Sequence, residues 1–341
     1  MNAALSWQGE AEVVAALYDR KGATIALAFG DGLLRLVDVA DGSTRDVTAH
    51  EDAAILSAAA DGDGFVTGGD DGRFLRITAT GEVSEIARFA GKWVGAVAAH
   101  AGEGLRACAV GKEVHLFDGK GLRAGLAHAS TVDDIAFNSK GKRLAAAHYD
   151  GVSLWWTAAP AKNQAQTPKK LTWKGSHRMV TWSPDGEYVL TATQENDLHG
   201  WRVSDGKDMR MSGYPVKVRS LAWTLKPPYL ATSGAEAVTC WPFTGSGPMG
   251  KPPLQIMGER QDKLVTQVAS HANEPVVAAG FADGSIILCD LRDRRTVLAK
   301  PAVEGDAEGA RISALAFAPD GRSIAWGAES GACGLLRGGG A

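Results

Sequence analysis

One pattern recurs along the chain and constrains its fold more than any other feature. A short run of alternating apolar residues leads into a turn, then a run of small residues, an Asp-Gly-type turn and a further apolar run. The second turn falls at Asp31, Asp71, Gly111, Asp150, Glu195, Ala235, Asp283 and Ser330, at separations of 39–48 residues. Periods of this length mark repeat architectures, in which a unit cannot cover its own apolar faces and must stack on its neighbours.

The first runs include VVAALY (13–18), VDDIAF (132–137), VRSLAW (218–223) and ISALAF (312–317). Turns of the Ser183-Pro184-Asp185-Gly186 and Ala318-Pro319-Asp320-Gly321 type follow. There Pro presets φ and Asp-Gly accepts the tight reversal. The second runs are rich in Ala and Gly (TIALAFG, RLAAAH, VVAAGF, SIAWGA), as suits a strand with little room on either face. No segment sustains a 3.6-residue period, so helix is nearly absent and the chain reads as all-β. The units are expected to be four-stranded blades stacked radially into a β-propeller over 1–341 as one domain. Eight blades are expected, with seven as the alternative. The last unit has three strands and then Gly338-Gly339-Gly340-Ala341, while AALSW (3–7) precedes the first unit as a spare strand. That N-terminal strand is expected to complete the last blade, because an uncovered sheet edge is a liability.

Trp (10) outnumbers Phe (9) and Tyr (5), so something places Trp at recurring positions. The third runs end in LVD (36–38), LFD (116–118), LWW (154–156), GWR (200–202), CWP (240–242) and LCD (288–290). With the Asp-Gly turns, these endings resemble the WD-repeat family over essentially the whole chain. The resemblance implies a structural set of His, turn Asp and third-strand Trp in each blade. Only the fourth unit keeps all three, as His128, Asp150 and Trp155, so the chain is a divergent member on this reading. The resemblance also implies partner contacts at Trp93, Tyr149 and Gln194. Trp155, Trp182, Trp201, Trp223, Trp241 and Phe317 are expected between blades.

Charge and motifs exclude several functions. With 36 Lys+Arg, 39 Asp+Glu and a net charge of −3, the chain lacks the basic character of a nucleic-acid binder. No apolar run reaches the ~18 residues of a membrane helix, and the N-terminus lacks signal-peptide features. Four widely spaced cysteines, Cys108, Cys240, Cys289 and Cys333, fit a cytoplasmic setting. Gly245–Gly250 matches GxGxxG but runs into Lys251-Pro252-Pro253, which cannot open a helix. Asp61-Gly62-Asp63-Gly64 hints at a calcium loop, yet Gly72 stands where the closing Glu belongs. Segments 158–170, 244–253 and 301–310 interrupt the rhythm as loops.

No complete catalytic constellation is present, and no cofactor is expected. The reading is a monomeric, non-enzymatic scaffold that binds an acidic protein or peptide on the blade rim. Residues flanking the first strands supply Arg178, Lys217, Arg219 and Arg311. Such a local basic patch steers an anionic partner without extreme net charge. The alternative is a ligand- or metal-handling site formed by His148, His177 and Glu195, near Asn196 and Asp197.

Overall fold

The computed structural model describes residues 4–158, 166–245, 247–258, 262–304 and 309–338. The expectations for the glycine tail, for Ser246 and for parts of the loops 158–170 and 301–310 lie outside the described residues. Among these residues are thirty strands and one short 3₁₀ turn, Ala101–Glu103. The chain is all-β, as its periodicity dictates. Five four-stranded antiparallel sheets follow the chain order strand by strand, and a sixth adds the N-terminal strand to the last three, as the blades of a β-propeller do.

The expectation of eight separate four-stranded blades is corrected by the strand pairing. Seven sheets form among the described residues, matching the seven-sheet alternative, and one of them has six strands. It carries the fourth and fifth sequence units, joined through two 14-residue strands, Arg143–Trp156 and Lys169–Trp182. Elsewhere the second turn breaks the chain into separate strands. Here Asp150 and Gly151 take φ of 71° and 133°, and Gly175 takes 132°. These left-handed residues bend the strands while pairing continues from Tyr149 opposite Ser176 to Gly151 opposite Thr172, across a register shift.

Two compact units make up the chain, one of residues 48–213 and one of 1–47 with 214–341. Each has its own apolar cores between adjacent sheets. In the first, Val66, Phe74, Val94, Cys108 and Phe117 pack together. In the second, Val13, Leu27, Phe29, Ala325 and Leu335 do so. The second strands are buried along their length, as in Gly64–Gly69 and Ser323–Ala328. Close approach of the next sheet explains their small residues. A Cβ on Gly68 would stand 2.5 Å from Val94 Cγ1, and one on Gly280 would stand 2.6 Å from Ile312 Cγ2.

Ala4–Gln8 pairs antiparallel with Ala332–Arg337, from Ala4 opposite Leu336 to Gln8 opposite Ala332, and supplies the fourth strand of the last sheet. Of the six aromatics expected in the core, Trp155, Trp182 and Trp201 are buried. Trp223, Trp241 and Phe317 are only half-buried.

Candidate functional site

Asp71 closes the second unit's Asp-Gly turn, and His50 lies before the first strand of that unit, Ile55–Asp61. The hairpin brings them together. His50 Nδ1 lies 2.9 and 3.0 Å from the Asp71 carboxylate oxygens, and Nε2 lies 2.9 Å from Thr67 Oγ1. A carboxylate only accepts, so Nδ1–H donates and Nε2 accepts from the threonine hydroxyl. His50 and Thr67 are fully buried. Burial holds the His50 pKa below its usual value, against the pull of Asp71. Sequence reasoning missed this set because Ile77 stands where Trp was sought. The offsets from His50 to Thr67 and Asp71 were the available signal.

In the fourth unit, Trp155 Nε1–H donates to His128 Nε2 at 3.0 Å. The expectation that Asp150 joins this pair is corrected. Asp150 makes no hydrogen bond to His128, because its left-handed backbone keeps it in the continuous ladder rather than in a closed turn. With Nε2 accepting, the proton of a neutral ring sits on Nδ1, and that buried atom has no partner among the described residues. Burial, then the neighbouring His148, lowers the His128 pKa to about 4, so the ring is neutral at pH 7. His148 Nδ1–H donates to Tyr149 O at 2.7 Å, and its Nε2 accepts from Ser153 Oγ at 2.9 Å.

His128 lines a cavity of about 650 Å³ with His148, Ser153, Gln166, Lys170 and Leu171. Gln166 Nε2 donates to Ala158 O at 2.9 Å, while its buried Oε1 has no hydrogen-bond partner among the described residues. A second, more open cavity of about 620 Å³ shares Tyr149, Asp150 and Thr172 with the first and adds Trp173 and Lys174. Trp173 stacks on the buried His199 at 4.0 Å between ring centroids. It keeps 40% of its surface exposed.

The rim residues divide between the two units. In residues 48–213, Trp93 is 67% and Tyr149 50% exposed, and Gln194 is exposed. Arg178 donates to Asp133 Oδ1 at 2.6 Å, which offsets its charge. In the other unit Lys217 and Arg219 are exposed. Arg311 Nε lies 3.3 Å from Glu329 Oε1. Glu12 is close by, its pKa raised by burial and by Glu329 against Arg219 and Arg311. Arg178, Arg219 and Arg311 therefore lie near carboxylates.

His148, His177 and Glu195 do not converge as metal ligands. No group of three His, Cys, Asp or Glu side chains suited to a metal occurs among the described residues. Both His148 nitrogens are engaged as above. His177 is buried, with Nδ1 2.7 Å from Thr191 Oγ1 and Nε2–H donating to Trp173 O at 3.0 Å. Asp197, buried, accepts from Arg210 Nε at 2.6 Å. Asp61 of the apparent calcium loop accepts from Arg76 Nε at 2.9 Å and Arg106 Nε at 2.7 Å. It ties two sheets together. The four cysteines are free and buried, and burial raises their pKa, that of Cys333 to about 11. They are inert core groups at neutral pH.

The strand order defines a β-propeller. Among solved structures the chain is similar to the crystal structure of the computationally designed Ika8 protein. The TM-score is 0.75 at 16% identity over 97% of each chain. That likeness shows the fold alone. No family model and no curated protein sequence matches the chain. No helix among the described residues is long and apolar enough to cross a membrane.

Proposed function

We propose that the protein is a non-enzymatic interaction scaffold of WD-repeat type, one propeller domain that binds a partner protein or peptide, acidic in character, on its rim. One observation carries this reading: Trp93, just before the strand Ala96–His100, and Tyr149, within Arg143–Trp156, are large aromatics half or more exposed to solvent. Aromatic and Arg side chains so placed are the usual anchors of protein interfaces. In residues 48–213 the contacts are Trp93, Tyr149, Arg178 and Gln194. In the other unit they are Lys217, Arg219 and Arg311. The divergent WD-repeat assignment is supported by His50 with Thr67 and Asp71, and by His128 with Trp155. The buried free thiols fit a reducing, cytoplasmic location.

Affinity capture from a source lysate tests the proposal. Immobilised wild type is compared with Trp93→Ala and with the double variant Lys217→Glu/Arg219→Glu. A partner retained by wild type, released by salt and lost from both variants is expected. Identical capture by all three baits rejects the rim.

A further inference from the structure

The two joined 14-residue strands hold unequal lengths of chain between two of their paired positions, Tyr149 opposite Ser176 and Gly151 opposite Thr172. The first strand has one residue there, Asp150, and the second has three, Trp173, Lys174 and Gly175. The surplus residues bulge from the ladder, and a bulge re-aims the side chains it carries. Around it Tyr149, Asp150, Thr172, Trp173 and Lys174 line one cavity of about 620 Å³. All five are exposed.

The aromatic part of this lining is held in place before any ligand arrives. Trp173 lies nearly parallel to the fully buried His199, with 19° between the ring planes, so one indole face is covered and the exposed surface belongs to the other face and the edge. The Trp173 carbonyl accepts from His177 Nε2–H at 3.0 Å. Tyr149 N–H donates to Ser130 Oγ at 3.1 Å, and its carbonyl accepts from His148 Nδ1–H at 2.7 Å. Rings anchored in this way lose little freedom on binding. The polar part is unengaged: the side chains of Asp150, Thr172 and Lys174 make no hydrogen bond or ion pair among the described residues. They offer a carboxylate acceptor, a hydroxyl that both donates and accepts, and an ammonium donor. The two charges cancel.

Exposed aromatic faces beside free donors and acceptors, with no net charge, match the chemistry of a pyranose. Such a ring presents a face of C–H groups and a rim of hydroxyls. The C–H face packs on the electron-rich face of an aromatic ring. The hydroxyls donate to a carboxylate and accept from an ammonium. An anionic ligand, by contrast, would meet Asp150 as well as Lys174. We propose that this bulge is a carbohydrate-binding platform, on which Tyr149 and Trp173 stack the pyranose rings of a neutral oligosaccharide while Asp150, Thr172 and Lys174 bind its hydroxyls. The proposal goes beyond the scaffold reading. It shares Tyr149 with that reading and uses neither Trp93 nor the cations of the other unit.

The test uses the full chain, isotopically labelled, and follows backbone amide and indole N–H signals by NMR. The probes are cellohexaose, maltohexaose, chitohexaose and mannohexaose. The control is sorbitol, which has the hydroxyls without a ring face. At millimolar concentration at least one hexasaccharide is expected to move the Trp173 indole signal and the amides of Gly151, Thr172 and Lys174, and sorbitol to leave them still. Because the ligand is neutral, added sodium chloride should change its affinity less than about twofold. Tyr149→Ala and Trp173→Ala should each weaken binding about tenfold or more. Asp150→Asn, which suits the left-handed backbone at that position, should weaken it severalfold. If Trp173→Ala disturbs the free protein through His199, Tyr149→Ala and Asp150→Asn, both at exposed positions, decide the matter. No movement with any of the four sugars overturns the proposal. So does binding unchanged in Tyr149→Ala, or a response to adenosine monophosphate or to the peptide Glu-Val-Tyr-Glu-Val that exceeds the response to every sugar. Lysate capture that still depends on Trp93, Lys217 and Arg219 while no hexasaccharide binds sinks the platform alone. Sugar binding by a chain that captures no partner upholds the platform and sinks the scaffold reading.

Discussion

His50 and His128 sit before the first strands of their units and carry the same tautomer, yet they do opposite things. His50 donates Nδ1–H to Asp71 and accepts from Thr67, with every polar atom of the ring satisfied in a dry core. His128 accepts from Trp155, and its Nδ1–H has no partner among the described residues. The difference arises one hairpin away. Asp71 precedes Gly72 in a closed turn, whereas Asp150 lies inside the 14-residue strand Arg143–Trp156, which runs on through the turn position. Ala146 stands on the second strand where unit two has Thr67. A lost turn and a lost hydroxyl convert a structural lock into a half-satisfied pocket.

The comparison breaks most visibly at His50. His50→Ala leaves Asp71 and Thr67 without their partner in a buried setting, and should cost about 3 kcal/mol or more. His128→Ala removes one neutral hydrogen bond beside a cavity and should cost about 1 kcal/mol. Urea midpoints of the two variants check the ranking, and equal losses would contradict it.

Acid should sharpen the contrast in a defined window. His128 has its folded pKa lowered to about 4 from an ordinary 6.5. The unfolded chain therefore binds the proton first. The stability of the neutral ring is complete above pH 6.5, declines as pH falls, and is gone below about 4. His199 follows the same sign, with burial lowering it to about 4. A chemical-shift titration of the His128 ring should give a midpoint near 4, and a midpoint at 6.5 would mean that the ring is solvated.

Smaller effects are expected outside these rings. Ser153→Ala removes the hydroxyl that donates to His148 Nε2, at a cost of about 1 kcal/mol or less. Arg178→Ala breaks an exposed pair with Asp133 and should change thermal stability by under about 1 kcal/mol. That change isolates any effect on partner capture from an effect on folding.

The sequence carries the repeat, the absence of helix, the small-residue strands and the N-terminal closing strand, because each depends on neighbours within one unit or on a fixed period. The Ala4–Gln8 pairing follows from a missing strand at the other end of the chain. What was not legible depends on geometry between units. The joined six-stranded sheet turns on the left-handed φ of Asp150, Gly151 and Gly175, and Asp-Gly reads identically whether the turn closes or the strand bends. Arg178 looked like free charge because Asp133 lies in the preceding unit. His50 was overlooked because the search required a Trp partner, whereas its two bonds need only Thr67 and Asp71.

The central claim is that two histidines of like position differ in whether Nδ1–H is satisfied, and histidine ring ¹⁵N–¹H correlation at pH 7 tests it most directly. Both rings should show the neutral form with the proton on Nδ1. The His50 Nδ1 proton, hydrogen-bonded to the Asp71 carboxylate, should resonate downfield of the His128 Nδ1 proton. A His128 ring protonated on Nε2, or a His128 Nδ1 proton as far downfield as that of His50, would contradict the account.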